Sequence, residues 1–229
     1  MRIEVCCGSV EEAIAAEAAG ADRVELCAGL PTGGVTPSVG MIEEARAVLR
    51  IPIVAMVRPR EGRANPPMSD FRASVRDVRH CFSAGADEVI VGVLDAAGEI
   101  DMDLNREYLA AAEGLPVAFH RVFDMTPDLD RSLESLVELG FARVLTSGGA
   151  ADVDLGMARL GSLVVRAAGR ITILPGGGVR PHNVRALAEI GCTEVHFSSR
   201  RASRFSGYGG VEDFEPDADR VRLVRELVG

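Results

Sequence analysis

Lysine is absent from this sequence of 229 residues, because all 25 positions counted as lysine or arginine are arginine. Schiff-base aldolases, pyridoxal phosphate enzymes and P-loop proteins each depend on a lysine amine. The sequence therefore excludes these three classes, and it indicates no organic cofactor.

Other absences restrict the class of protein further. The five cysteines include no C-x-x-C pair, so the spacing of zinc ribbons and thioredoxins is missing. No apolar run is long enough to cross a bilayer, and the chain starts without the segments of an export signal. A net charge of −9 disfavours nucleic-acid binding, since phosphate contacts need a basic surface. We therefore expect a cytoplasmic protein with reduced thiols and with neither a membrane nor a nucleic-acid partner.

A regular Gly-x-x-x-Val frame runs through the chain. It occurs at residues 20–24, 85–89, 140–144 and 191–195. Each glycine follows an amphipathic stretch, where a left-handed residue ends a helix, and each valine begins a short apolar run that is typical of a strand. Four further apolar runs lie between these frames, at 3–7, 52–58, 116–123 and 171–174.

Eight predicted strands, each followed by a helical pattern, indicate parallel β/α units. At this length they predict one domain over residues 1–229, an α/β fold built as a single (β/α)8 TIM barrel. A doubly wound open sheet is the alternative, but no G-x-G-x-x-G follows the first strand. Residues 200–210 are predicted to form a long loop before a last helix at about 214–228.

Two neighbouring strands end in the same Glu-x-Cys pattern, at Glu4–Cys6 and Glu25–Cys27. Residues two apart share one face of a strand, so each strand directs a carboxylate and a thiol the same way. Two thiolates on adjacent strands can chelate a soft metal such as Cu(I), and one of them can act as a nucleophile. The alternative is that these cysteines are small buried residues that only pack.

Strand alternation predicts which side chains face the barrel axis. On the four framed strands these are Glu25, Ile90, Leu145 and His196, followed by Cys27, Gly92, Ser147 and Ser198. The last four are small, so a hollow is expected at the carboxyl-end mouth, where active sites of TIM barrels lie.

Three other segments carry groups suited to acid–base chemistry or anion binding. At residues 119–124, His120 and Asp124 are predicted to face inward, whereas Arg121 would face the helices unless the strand bends. Arg58 and Arg60 are candidates for clamping an anion, or for balancing the two glutamates. The glycine triplet at 176–178 predicts a phosphate-binding loop, with a simple tight turn as the alternative, and Pro181 after it suits the start of a helix.

The same segments resemble the CutC family of copper homeostasis proteins. The resemblance is carried by residues 4–6, 20–27, 33–38, 58–60, 119–121, 145–148 and 176–179. It implies a cytoplasmic TIM barrel that handles copper through Cys6 and Cys27, and an oligomer, for which a dimer is expected. The loop at 61–69 departs from the family pattern because it lacks aromatic residues, and the tail after Ser199 is short and arginine-rich.

Two hypotheses of function follow. The first is a copper homeostasis protein that binds Cu(I) through Cys6 and Cys27 at the barrel mouth. The second is an enzyme, a lyase or isomerase independent of lysine, that acts on a small phosphorylated or carboxylated metabolite. Its acid–base candidates are Glu4, Glu25, His120 and Asp124. Its anion-binding candidates are Arg58, Arg60, Arg121, Ser147, Gly176, Gly177, Gly178, His196 and Ser198.

Overall fold

Strands and helices alternate along nearly the whole chain. A computed structural model describes residues 1–206 and 212–229, with the backbone alone for 204–206, 212 and 213. The strands of the main sheet are β1 (Arg2–Cys7), β2 (Arg23–Leu26), β3 (Ile53–Met56), β4 (Glu88–Val91), β5 (Val117–Phe119), β6 (Arg143–Thr146), β7 (Thr172–Pro175) and β8 (Glu194–Ser198). The helices are α1 (Val10–Ala18), α2 (Val39–Val48), α3 (Met68–Ser83), α4 (Met102–Ala111), α5 (Leu129–Leu139), α6 (Val153–Ala167), α7 (Val184–Glu189) and α8 (Ala218–Val228).

The eight strands form one parallel sheet in the order β7-β6-β5-β4-β3-β2-β1-β8. β1 pairs with β2 on one side and with β8 on the other, so the end of the chain returns to its beginning. β7 and β8 then lie side by side at the remaining gap. The sheet is a nearly closed (β/α)8 barrel, which confirms the predicted fold.

The glycines of the repeated frame end helices, as the sequence predicts. Gly20, Gly85, Gly140 and Gly191 have φ values of +96°, +103°, +90° and +93°. They lie one or two residues after α1, α3, α5 and α7. A left-handed residue is needed at these positions, and glycine adopts that conformation without a steric cost. Side chains of Ser9, Asp101 and Asp152 cap the starts of α1, α4 and α6.

The predicted alternation of the strands is also confirmed. The valines of the Gly-x-x-x-Val frames pack in the large hydrophobic layer between the sheet and the helices. They are Val24, Val89, Val144 and Val195. A separate, smaller cluster fills the barrel interior. It contains Cys6, Cys27, Val54, Met56, Ile90, Ala118, Leu145 and Leu174.

A buried layer of charge lies at the amino-terminal end of the barrel. It consists of Arg23, Glu88, Arg143 and Glu194, each placed directly before the valine of a frame. These residues come from β2, β4, β6 and β8, as expected for a layer supplied by alternate strands of a TIM barrel. Each arginine pairs with two or more carboxylates, which reduces the cost of burying the charges.

The structure corrects the predicted end of β5, the predicted loop after β8 and the predicted start of the last helix. β5 ends at Phe119 rather than 123, because His120 caps a short 3₁₀ helix over Arg121–Met125. The predicted loop at 200–210 contains strand β9 (Arg200–Ser206), which pairs in antiparallel fashion with β10 (Glu212–Pro216), and its residues 207–210 lie outside the described part of the chain. The last helix therefore begins at Ala218 instead of about 214.

Candidate functional site at the barrel mouth

A cavity of about 720 Å³ opens at the carboxyl ends of the strands. Eleven of the fifteen predicted site residues line it, and these are Cys6, Glu25, Cys27, Arg58, Arg60, His120, Arg121, Gly177, Gly178, His196 and Ser198. Glu4, Asp124, Ser147 and Gly176 do not line the cavity but contact residues that do. The structure therefore brings the predicted residues together at the end of the barrel where they are expected.

The two thiols of the Glu-x-Cys strands meet at the floor of this cavity. Sγ of Cys6 lies 3.8 Å from Sγ of Cys27, and both side chains are buried. The hydrogen bond with Cys27 and burial raise the pKa of Cys6 well above its ordinary value. The bond with Cys6 lowers the pKa of Cys27, but burial and the charge of Glu25 outweigh it and raise that pKa to about 12. Both groups are therefore neutral thiols at pH 7, and a metal ion that binds them must displace their protons.

The Glu25 carboxylate is buried beside the thiols, with 2% of its surface exposed. Its Oε2 accepts a hydrogen bond of 3.4 Å from Sγ of Cys27. Its Oε1 is buried without a hydrogen-bond partner in the described part of the chain. A carboxylate oxygen is costly to bury in this way, which makes Glu25 a candidate to bind a ligand or to accept a proton.

His196 links the cavity floor to the charged layer below. Its Nδ1 lies 2.7 Å from Oε1 of Glu4, and its Nε2 lies 3.8 Å from Oε2 of Glu25. Burial alone would lower the pKa of His196, but the charge of Glu25 and hydrogen bonds with Cys6 and Glu4 raise it well above its ordinary value.

Glu4 is held beneath His196 rather than in the cavity. It forms a short ion pair with Arg23, and Arg143 lies 3.7 Å away. Burial opposes ionisation of Glu4, but the hydrogen bond with His196 and the charge of Arg23 lower its pKa well below the ordinary range. Glu4 is thus an ionised carboxylate that orients the imidazole, a role that the sequence did not distinguish from direct catalysis.

A cluster of possible metal ligands is formed by Cys6, Glu25 and His196. One donor atom from each lies within 4.8 Å of the other two, and all three residues are buried. A histidine that donates its second ring N–H to a carboxylate is a common partner of a bound metal, and Glu4 accepts that bond here. Sequence reasoning placed His196 at the mouth but not beside the thiols, because that contact depends on the pairing of β1 with β8.

The opposite wall of the cavity carries His120 and Arg58. Nδ1 of His120 accepts a hydrogen bond from the backbone N–H of Val122, so the ring proton is on Nε2. Burial and the charge of Arg58 lower the pKa of His120 to about 4, which makes it a neutral donor. Its ring occupies the space left by Gly92, where a Cβ would lie 2.8 Å from it.

Arg121 faces the cavity because the chain bends after Phe119. Its Nε donates to Asp124 at 3.0 Å, and its Nη2 donates to Ser147 at 2.8 Å. The Asp124 carboxylate also accepts bonds from Thr146, from Ser147 and from the backbone N–H of Gly149. Asp124 and Ser147 therefore fix the guanidinium in place.

The glycines at 176–178 lack side chains, which leaves space for neighbouring residues of the cavity. A Cβ on Gly176 would lie 2.5 Å from Leu145 and 3.2 Å from His196. A Cβ on Gly177 would lie 2.5 Å from Nη1 of Arg121. The predicted helix start at Pro181 is wrong, because α7 begins at Val184.

Several cavity residues were not singled out from the sequence. They are Met56, Arg63, Arg180, Arg200 and Arg220. Met56 follows from strand alternation. Arg63 and Arg180 lie in loops, whereas Arg200 begins β9 and Arg220 lies in the first turn of α8. Among the described residues, no helix combines the length and apolar character needed to cross a bilayer.

Comparison with known proteins identifies close relatives. A model described as the CutC family matches residues 1–201, a span that contains every predicted site residue. A relative from Bacteroides thetaiotaomicron, named "family protein CutC", is 44% identical over 203 residues, which are 88% of this chain and 82% of that protein. The human copper homeostasis protein cutC homolog is 42% identical over 206 residues, covering 90% of this chain and 75% of that protein. A crystal structure of CutC from Streptococcus agalactiae has a TM-score of 0.82 at 32% identity, covering 86% of this chain and 97% of that one.

Proposed function

This chain belongs to the CutC family, and on that premise we propose that it is a cytoplasmic copper homeostasis protein that binds Cu(I) through Cys6 and Cys27. The observation that carries the proposal is the 3.8 Å separation of the two sulfur atoms at the floor of the cavity. Soft thiolate ligands favour Cu(I) over hard divalent ions.

The separation of the sulfurs fits a bridging metal. Metal–thiolate bonds are about 2.3 Å long for zinc, so one ion can join two sulfurs up to about 4.6 Å apart. The observed 3.8 Å is below that limit, so neither side chain needs to move. His196 would be the candidate for a third donor, because one of its ring nitrogens lies within 4.8 Å of donor atoms of Cys6 and Glu25.

Protons occupy these ligand atoms when no metal is bound. The raised pKa values of Cys6, Cys27 and His196 mean that Cu(I) must replace a proton at each atom that it binds. Glu4 supports His196 as a ligand because it holds the proton on Nδ1 and leaves Nε2, 3.8 Å from Oε2 of Glu25, as the nitrogen that could bind a metal.

A cytoplasmic location agrees with the chemistry of the cysteines. All five are buried free thiols in the described chain, including the pair at 3.8 Å. Thiols this close persist unpaired in a reducing compartment.

Cu(I) titration against a competing chromogenic chelator, under anaerobic reducing conditions, tests the proposal. We expect one tightly bound Cu(I) per chain, lost in the double variant Cys6→Ala/Cys27→Ala. Cys7→Ala is the matched control, because Cys7 lies on the same strand but packs toward the helices. Unchanged stoichiometry and affinity in the double variant would falsify the proposal.

A further inference from the structure

The lining of the cavity is basic although the protein is acidic. Seven arginines and three carboxylates line it among the described residues, whereas the net charge of the chain is −9. The arginines are Arg58, Arg60, Arg63, Arg121, Arg180, Arg200 and Arg220, and the carboxylates are Glu25, Glu61 and Asp70. Because cations outnumber carboxylates in this lining, its charge favours an anionic ligand.

Four of the seven arginines have no ion-pair partner among the residues that the structure describes. Arg60, Arg121 and Arg220 each pair with an aspartate. The other four arginines have no carboxylate within ion-pair distance in the described part of the chain. Among the described residues, the Arg58 guanidinium, for example, donates to the backbone carbonyls of residues 32, 34 and 62 and to no carboxylate.

Arg121 is oriented toward a bound group in advance. Asp124 and Ser147 hold its Nε and Nη2, while Nη1 has no acceptor among the described residues. This Nη1 lies against Gly177. A guanidinium held in one orientation loses little entropy when it binds an anion.

Uncommitted donors line the same cavity after β7 and at the end of β8, which are neighbouring strands. The backbone N–H groups of Gly177 and Gly178 make no hydrogen bond to another described residue, and both glycines have positive φ. The hydroxyl of Ser198, at the end of the neighbouring strand, is buried without a partner in the described chain. Successive backbone N–H groups in such a turn form a concave site for an anion.

We propose that this cavity binds a small phosphorylated molecule, with its phosphate between Arg121, the Gly177–Gly178 turn and Ser198. A phosphate group has three terminal oxygens and can use all of these donors, whereas a carboxylate has two. The remaining space, in a cavity of about 720 Å³, extends over the thiols and His120 and accommodates the organic part. This site is independent of copper binding, because none of its three elements is a proposed copper ligand.

Isothermal titration at low ionic strength tests the proposal with three probes: inorganic phosphate, glycerol 3-phosphate and malonate. We expect saturable binding of phosphate, tighter binding of glycerol 3-phosphate, and weak or no binding of malonate. Arg121→Ala should weaken both phosphate probes about tenfold or more, since a charge-assisted hydrogen bond is lost. Arg180→Ala should weaken them less, and Arg106→Ala, on the exposed face of α4, should not change them.

Two glycine variants distinguish a loss of the phosphate site from the backbone strain that any side chain causes at positive φ. Gly177→Ala places a Cβ where Nη1 of Arg121 lies, so it should reduce phosphate binding as strongly as Arg121→Ala. Gly114→Ala is the matched control, because Gly114 has nearly the same φ (+88° against +91°) and a Cβ added there would have no atom within 4 Å. Cys6→Ala/Cys27→Ala should retain phosphate binding even as it loses copper.

Three results would overturn the proposal. One is the absence of saturable binding for both phosphate probes. Another is binding that neither Arg121→Ala nor Gly177→Ala weakens, and the third is binding of malonate or inorganic phosphate in preference to glycerol 3-phosphate. Arg180→Ala removes an exposed side chain, so this variant should fold. If another variant fails to fold, the weaker phosphate binding expected of Arg180→Ala can still be measured.

Discussion

Oε1 of Glu4 accepts a hydrogen bond of 2.7 Å from Nδ1 of His196, directly below the two thiols of the cavity floor. The pairing of β1 with β8 places these residues opposite each other, although 192 positions separate them in sequence. With Nδ1 held by Glu4, Nε2 of the ring lies 3.8 Å from Oε2 of Glu25. The proposed copper site therefore depends on a carboxylate that does not itself line the cavity.

Glu4→Gln is predicted to weaken Cu(I) binding about 10- to 100-fold while leaving one site per chain, because the support of His196 is lost. Competition with a Cu(I) chelator measures this change. Glu194→Gln is the control, since Glu194 pairs with the same arginines, Arg23 and Arg143, but is not bonded to His196. Equal losses in the two variants would show that Glu4 acts only through the stability of the charged layer.

The affinity for Cu(I) is predicted to rise steeply with pH. Both thiols are protonated at neutral pH, since the pKa of Cys27 is raised to about 12 and that of Cys6 is also raised. Binding then releases at least two protons, so the affinity should increase at least about 100-fold per pH unit between pH 6 and 8. Chelator competition corrected for the chelator's own titration measures this slope. A slope near zero is incompatible with two protonated thiol ligands.

Glu88 is predicted to make the protein less stable as pH rises. Burial raises its pKa from 4.5 to about 7, despite the opposing charge of Arg143. The folded state therefore binds a proton more tightly than the unfolded state, and stability is lost between pH 4.5 and 7. Relative to the parent, Glu88→Gln should gain about 2 kcal/mol in the free energy of unfolding between pH 5 and 8. Urea denaturation checks this, with Glu107→Gln on the exposed face of α4 as the baseline, and a pH-independent difference would contradict it.

Arg143 is predicted to be essential for the stability of the charged layer. It lies within ion-pair distance of Glu4, Glu88 and Glu194. Arg143→Met leaves buried carboxylates without this cation and should lower the free energy of unfolding by about 3–5 kcal/mol. Arg106→Met breaks an exposed pair within α4 and should cost under about 1 kcal/mol. Similar losses in both variants, measured by urea denaturation, would argue against a buried network.

The repeating pattern of the sequence was sufficient to predict the barrel and the direction of the side chains within its framed strands. The frame glycines end helices, and alternation correctly placed Cys6, Cys27, Glu25 and His196 inside. The charged layer was missed although its signal was present, since Arg, Glu, Arg and Glu precede the four frame valines in turn.

Other features of the site could not be read from local patterns. The turn of Arg121 toward the cavity depends on Asp124 and Ser147, which lie on different segments. The contact of His196 with Glu4 requires closure of the barrel. Roles for individual residues, copper as the ligand, the dimer and the alternative lyase or isomerase activity stay predictions.

X-ray absorption at the copper edge, on protein loaded with one equivalent of Cu(I), tests the central claim most directly. We predict two sulfur neighbours at about 2.3 Å, close to a zinc–thiolate bond, together with one nitrogen neighbour from His196. In the Cys6→Ala/Cys27→Ala variant these sulfur neighbours should disappear, and in Cys7→Ala they should remain. A spectrum without sulfur neighbours, or one that the double variant leaves unchanged, would contradict copper binding by these two thiols.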